Sequence, residues 1–246
     1  MDEKKLPLTA HLQELRKRLI FSFIAIGIGF FVCYAFKEVL FEILAAPLVN
    51  RVIPSGGTLI FTSVAEAFFT YMKVAFITGL ALASPFVLYQ IWAFVAPGLY
   101  QKEKRYAVPF VLGGSLFFVM GILFGYFVAI PVAFRFLLGF ATDFIKPMPS
   151  MKEYLSFSIK FLFVFGLVFE FPVVLVLLAK IGVVDAKMLA RQRKYAILLI
   201  FVFAAVMTPP DIISQVLMAL PLMGLYELSI LLSKALGKKK EASASP

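Results

Sequence analysis

The chain alternates between long uncharged runs and short connectors that hold nearly all of its charge. The apolar runs fall at about 19–36, 67–92, 107–131, 154–179, 195–208 and 212–232. A membrane-crossing helix needs roughly 17–25 mostly apolar residues, so the pattern predicts six spans, with the last two forming a short, irregular hairpin. None of the runs alternates polar and apolar positions with period two, which excludes a transmembrane β-barrel. Helices are then the only way to satisfy backbone polar groups within hydrocarbon. The expected fold is all-α: a polytopic integral membrane protein forming one domain over residues 1–236, with a disordered tail at 237–246.

Details of the pattern refine the picture. The first run follows Arg16, Lys17 and Arg18 as a secretory signal would, but no small-residue cleavage pattern closes it, so a retained span is expected. Ahead of it, Leu8, Leu12, Leu15 and Leu19 recur at spacings of four, three and four. That predicts an amphipathic helix along the bilayer surface with Glu14 on its polar side. The fifth run, Tyr195 to Thr208, spans only about 21 Å at 1.5 Å per residue, short of a hydrocarbon core of roughly 30 Å. Pro209 and Pro210 stop it, and Asp211 is placed to cap the next helix. This hairpin either leaves one leaflet unfilled or packs inside the bundle. The connectors at about 37–66, with Pro47, and about 132–153 are long enough to form an extracytoplasmic cap. Trp92, Tyr89 and Tyr100 read as an interfacial aromatic belt.

Composition then closes off classes. With 62% hydrophobic and 15% charged residues and a mean hydropathy of +0.96, the chain has too little polar surface for a water-soluble sphere. The net charge of +10 is informative once located. Placing the N-terminus in the cytoplasm puts 17 bases on that side and 5 on the other, so the positive-inside rule orients both termini inward. The basic excess therefore reports topology and anionic headgroups, and nucleic acid is unnecessary. One cysteine, Cys33, and one histidine, His11, leave no internal disulfide, no His/Cys metal set and no Ser–His pairing beyond His11. No cofactor, metal site or catalytic residue is expected, and the chain does not read as an enzyme.

Three acids stand out. Glu170 lies deep in the fourth run within Phe169-Glu170-Phe171-Pro172, where a centred acid costs roughly 2.5–3.5 kcal/mol on insertion scales. It needs a partner or a proton: it serves a partner helix or a proton relay, or it is bonded within the bundle to Gln215 or Tyr126. Glu14 is either a ligand carboxylate or half of an i,i+4 pair with Arg18. Glu103 is either the same kind of ligand or a helix N-terminal acid. Glu14 and Glu103 share the cytoplasmic rim, and each could accept a guanidinium through paired, charge-assisted hydrogen bonds that lysine cannot reproduce.

These residues fall within a recognisable set of motifs. His11-Leu12-Gln13-Glu14-Leu15-Arg16-Lys17-Arg18, Ala46-Pro47-Leu48 and Trp92-Ala93-Phe94-Val95-Ala96-Pro97-Gly98-Leu99-Tyr100 followed by Glu103 are three of them. Phe165-Gly166 through Phe171-Pro172, then Thr208-Pro209-Pro210-Asp211 with Ser214-Gln215, and Tyr226-Glu227 complete the set. Over about residues 8–232 the sequence resembles the TatC family, receptor subunits of the twin-arginine translocase. The resemblance implies a six-helix, cup-shaped bundle in the bacterial cytoplasmic (inner) membrane. It implies recognition of signal peptides with consecutive arginines and recruitment of single-span TatA-like and TatB-like partners in an oligomeric complex. Folded proteins would then be exported on the proton-motive force.

Carried over, Glu14 and Glu103 would hold the arginine pair, with Phe94, Leu99 and Arg16 at the same surface. Glu170, Met207, Asp211 and Gln215 would meet partner helices, while Pro47, Pro97, Pro209 and Pro210 would be structural. The competing class is a proton-coupled transporter of a small solute using Glu170, which would want several polar groups at one midplane site.

Overall fold

A computed structural model describes residues 8–51, 59–60, 63–95, 107–139, 148–180, 182–208 and 211–236. These residues are helical apart from short turns and one isolated bridge. The helices are α1 (Leu8–Ala35), α2 (Lys37–Arg51), α3 (Val64–Val95), α4 (Ala107–Phe124), α5 (Ile130–Leu138), α6 (Met151–Phe169), α7 (Phe171–Lys180), α8 (Ala186–Arg191), α9 (Arg193–Met207) and α10 (Ile212–Leu236). A π-helical turn over Gly125–Ala129 joins α4 to α5.

Five stretches are long and apolar enough to cross a membrane: Leu12–Ala35, Ala65–Phe94, Val108–Leu138, Met151–Lys180 and Ile212–Ala235. The protein is an all-α polytopic membrane protein. The fifth predicted span, α9, has 15 residues and reaches about 22 Å. Its hairpin partner was expected to be short too, but α10 runs 25 residues and continues through Pro221.

Two other expectations need correction. The segment before the first span is not a separate surface helix: α1 is continuous over 28 residues, because Leu8 to Ile26 contains no proline or glycine to break the ladder. In the connector at 37–66, Lys37–Arg51 form α2, and the third span runs on to Leu138. Pro131 cannot donate to the carbonyl four residues back, and the ladder widens to π spacing just before it. At the end of α7, Gly182 takes φ +80°, a left-handed cap that glycine adopts without steric cost.

The chain divides into two compact units, Met1–Ile43 with Ser63–Leu116, and Leu44–Thr62 with Phe117–Pro246. In the first, α1 and α3 pack side by side and are antiparallel. Their backbones come close enough at Gly29 and Gly79 that a Cβ on Gly29 would sit 2.5 Å from the Gly79 carbonyl oxygen. Without a hydrophobic drive between helices in lipid, such small-residue contacts supply much of the packing energy. Trp92 is buried with Ala93 against Phe110 and Val111, so it is a packing residue and not an interfacial anchor.

In the second unit α10 packs against α5 to α9. An aromatic row along α6 fills its core: Phe157 stacks on Phe161 at 4.3 Å, Phe161 meets Phe165 at 5.7 Å, and Phe124 bridges Phe165 and Phe169. Two connectors also meet here. Ile60 pairs with Ser150 in a parallel bridge, the Met151 amide donates to the Ile60 carbonyl at 2.8 Å, and the Tyr154 hydroxyl donates to the Leu44 carbonyl at 2.8 Å. Pro47 is buried within α2 in this unit.

Candidate functional site

In the first unit the site is built at one end of the α1/α3 pair. Helical spacing puts Glu14 and Arg18 on one face of α1. Arg18 Nη2 donates to Glu14 Oε1 at 2.8 Å and Nε donates to the same oxygen at 3.2 Å. The guanidinium reaches across to α3 as well, where Nη1 donates to Gln90 Oε1 at 3.0 Å. Gln90 is 5% exposed and the two charged side chains about a quarter exposed.

The register follows from two contacts. Arg18 meets Gln90 and Gly29 meets Gly79, eleven residues apart on both helices. The same antiparallel register sets Phe94, half-buried near the end of α3, level with Glu14. Arg16 points to an exposed position on α1. Pro97, Leu99 and Glu103 lie outside the described residues.

In the second unit, the break between α6 and α7 positions Glu170. Pro172 has no amide to donate to the Val168 carbonyl, so the helix cannot run on regularly, and Glu170 caps α6. It is 8% exposed, and among the described residues neither carboxyl oxygen has a hydrogen-bond partner. The expected bonds to Gln215 or Tyr126 are not made: the Gln215 amide donates instead to the Phe201 carbonyl at 3.1 Å.

The hairpin end gathers more polar groups. Asp211 caps α10 as expected, with Oδ1 accepting from the Ser214 amide at 2.6 Å, while its buried Oδ2 and the Ser214 hydroxyl have no partner among the described residues. The Thr208 hydroxyl folds back onto the Ala204 carbonyl at 2.9 Å, and Met207 beside it is half-buried. Pro209 and Pro210 lie outside the described residues. An unpaired buried polar group costs about 1–3 kcal/mol, so this cluster and Glu170 are groups whose bonding is incomplete among the described residues.

Residues 10–221 match the family described as Sec-independent protein translocase protein (TatC). The chain belongs to the TatC family. A TatC protein of Desulforapulum autotrophicum is 52% identical over 98% of this chain and 89% of its own length. The TatC protein of Escherichia coli K12 is 40% identical over 93% and 88%. A crystal structure described as Twin Arginine Translocase Receptor- TatC superposes with a TM-score of 0.82 at 44% identity, covering 92% of this chain and 99% of that one. Membership of a family of protein translocase components gives the chain a transport role.

Within this TatC chain, the structure brings together Glu14, Arg18 and the level of Phe94 in one unit, and Met207, Asp211 and Gln215 at the hairpin of the other. Gln90 was missed from sequence. Its signal was available: an amide inside the 67–92 run must find a partner in hydrocarbon. Glu66, 4% exposed in the first turn of α3, was missed also, and the positive end of the helix macrodipole favours it there.

Proposed function

We propose that the chain is the core receptor and scaffold subunit of a twin-arginine translocase. It sits in the bacterial cytoplasmic membrane as one six-span domain over residues 1–236, with both termini in the cytoplasm. At its cytoplasmic rim Glu14 and Glu103 accept the guanidinium groups of a twin-arginine signal peptide, on a surface that includes Phe94, Leu99 and Arg16. Single-span TatA-like and TatB-like subunits dock through Glu170, Met207, Asp211 and Gln215, and folded cargo is exported on the proton-motive force.

The observation that carries the receptor reading is the Glu14 carboxylate, which already holds a guanidinium by two N–H donors in a segment otherwise rich in bases. A guanidinium fork is the chemistry an arginine peptide brings, and an ammonium lacks it. Repulsion from the surrounding bases is screened over about 8–10 Å, so selectivity rests on this close contact. For the scaffold reading, the support is the set of buried polar atoms on Glu170, Asp211 and Ser214 without partners among the described residues, which polar groups on a neighbouring helix would complete.

The test is a photo-crosslinkable twin-arginine peptide added to the purified membrane protein. Labelling is expected near Glu14 and Glu103, reduced by Glu14→Gln or Glu103→Gln and by arginine-to-lysine exchange in the peptide. Undiminished labelling in both variants would refute the site.

A further inference from the structure

We infer that Arg18 is a resident occupant of the Glu14 carboxylate, so that a signal peptide binds by guanidinium exchange and Arg18 sets its affinity. The inference rests on the reading of Glu14 as the peptide's acceptor. Three donors of Arg18 are engaged: Nη2 and Nε converge on Glu14 Oε1 at 2.8 and 3.2 Å, and Nη1 meets Gln90 Oε1 at 3.0 Å. An exposed i,i+4 pair alone is a weak lock. Gln90 changes that, because it is 5% exposed and fixed on the neighbouring helix. It removes much of the side-chain freedom that usually limits such a pair.

The arrangement has a direct consequence for binding. Both Arg18 bonds land on one oxygen, so a peptide guanidinium can bind Glu14 through both oxygens only after Arg18 lets go of Oε1. The closed population then lowers the apparent affinity of every ligand that needs the open carboxylate, by the fraction of molecules that are open. When exchange occurs, the bond to Gln90 keeps Arg18 on α3, away from the incoming charge. Between peptides, most Glu14 carboxylates are held by Arg18 and not offered bare to any cation that passes.

The sign of this effect separates exchange from a supporting role. An orienting Arg18 makes its removal weaken peptide binding; a resident occupant makes its removal strengthen it. Arg18→Lys decides further, because it keeps the charge and loses the fork. The lock described here corresponds to a factor of about three to ten, the range expected when a weak surface pair is reinforced by one hydrogen bond of ordinary net strength. The same factor applies to twin-arginine and twin-lysine peptides, since both compete with the same occupant.

The experiment measures fluorescence anisotropy of labelled twin-arginine and twin-lysine peptides on the full-length protein in nanodiscs at fixed salt. Glu14→Gln, Arg18→Lys and Arg18→Gln are compared with wild type, and thermal unfolding of each variant confirms folding. The expected result is weaker binding for Glu14→Gln and three- to tenfold tighter binding of both peptides for Arg18→Lys and Arg18→Gln. Tightening in Arg18→Gln alone means simple charge relief and overturns exchange. Weakening in either Arg18 variant means Arg18 orients Glu14, and overturns it also. No effect of Glu14→Gln brings down the acceptor reading itself, and exchange with it.

Discussion

Glycine substitutions on α1 test the packing that sets the receptor rim. A Cβ added at Gly29 would lie 2.5 Å from the Gly79 carbonyl oxygen, and one added at Gly79 would lie 2.5 Å from the Phe30 amide nitrogen, where ordinary contact begins at 3.4 Å. The shortfall is about 0.9 Å against backbone on both sides, so no side-chain rotation can relieve it and the helices must separate locally. Overpacking of this kind costs about 1–3 kcal/mol, and a gap approaching 1 Å forfeits a quarter to a half of the dispersion contact nearby.

Gly27, two residues earlier on the same helix, has nothing within 4 Å of its would-be Cβ. Gly27→Ala then retains only the helix-propensity gain, up to ~1 kcal/mol. Gly29→Ala carries the same gain, so the two alanine variants should differ by the overpacking cost alone, about 1–3 kcal/mol, with Gly27→Ala equal to or above wild type. Thermal unfolding in detergent, followed by tryptophan fluorescence and size exclusion, measures the difference. Gly79→Ala should fall with Gly29→Ala and, by opening the register, weaken the Arg18–Gln90 bond about three turns away. Equal melting of the Gly27 and Gly29 variants would show that the close approach of α1 and α3 is not as described.

Four further outcomes follow from the second unit. Glu170→Leu removes a buried carboxyl without partners and should raise the stability of the isolated chain by about 1–3 kcal/mol, while co-purification of single-span partners is lost; a destabilised chain would mean that Glu170 is bonded internally. Tyr154→Phe deletes the 2.8 Å bond to the Leu44 carbonyl and should cost about 1 kcal/mol in a thermal melt. Asp211→Ala removes the cap on the Ser214 amide and should lower stability by about 1 kcal/mol, with Asp211→Asn retaining most of it. Glu227→Gln breaks a pair with Arg193 that is half exposed and should shift the melt by well under 1 kcal/mol.

How much of this was readable beforehand depends on the range of each interaction. The helical class followed from uncharged runs, because hydrocarbon leaves the backbone no alternative, and the Asp211 cap followed from a local rule about residues after a proline pair. The i,i+4 pairing of Glu14 with Arg18 was visible as one of two readings for the same reason. Gln90, 72 residues from Arg18, was not, since sequence spacing carries no information about which helices neighbour each other. The bridge between Ile60 and Ser150 was hidden in the same way, behind two connectors read only as long enough to form a cap.

Glu170 illustrates the opposite case. The chemical problem, an acid in an apolar run, was legible in the sequence, and of the two solutions it left open the bond within the bundle is the one the structure does not make. Gln215 and Tyr126 looked like natural partners because a buried polar group is nearly always satisfied. In the structure Gln215 satisfies the Phe201 carbonyl, and Pro172 ends α6 at Glu170. A helix break of this sort leaves backbone irregular at membrane depth, which is tolerated where protein or water can complete it. A carboxyl group with no partner among the described residues at such a break is costly to the isolated chain unless it keeps its proton or another chain supplies a donor. On the docking role proposed above, the stability of Glu170→Leu and its loss of partners are two sides of one quantity: the free energy the isolated chain forgoes at this position is available to the assembly.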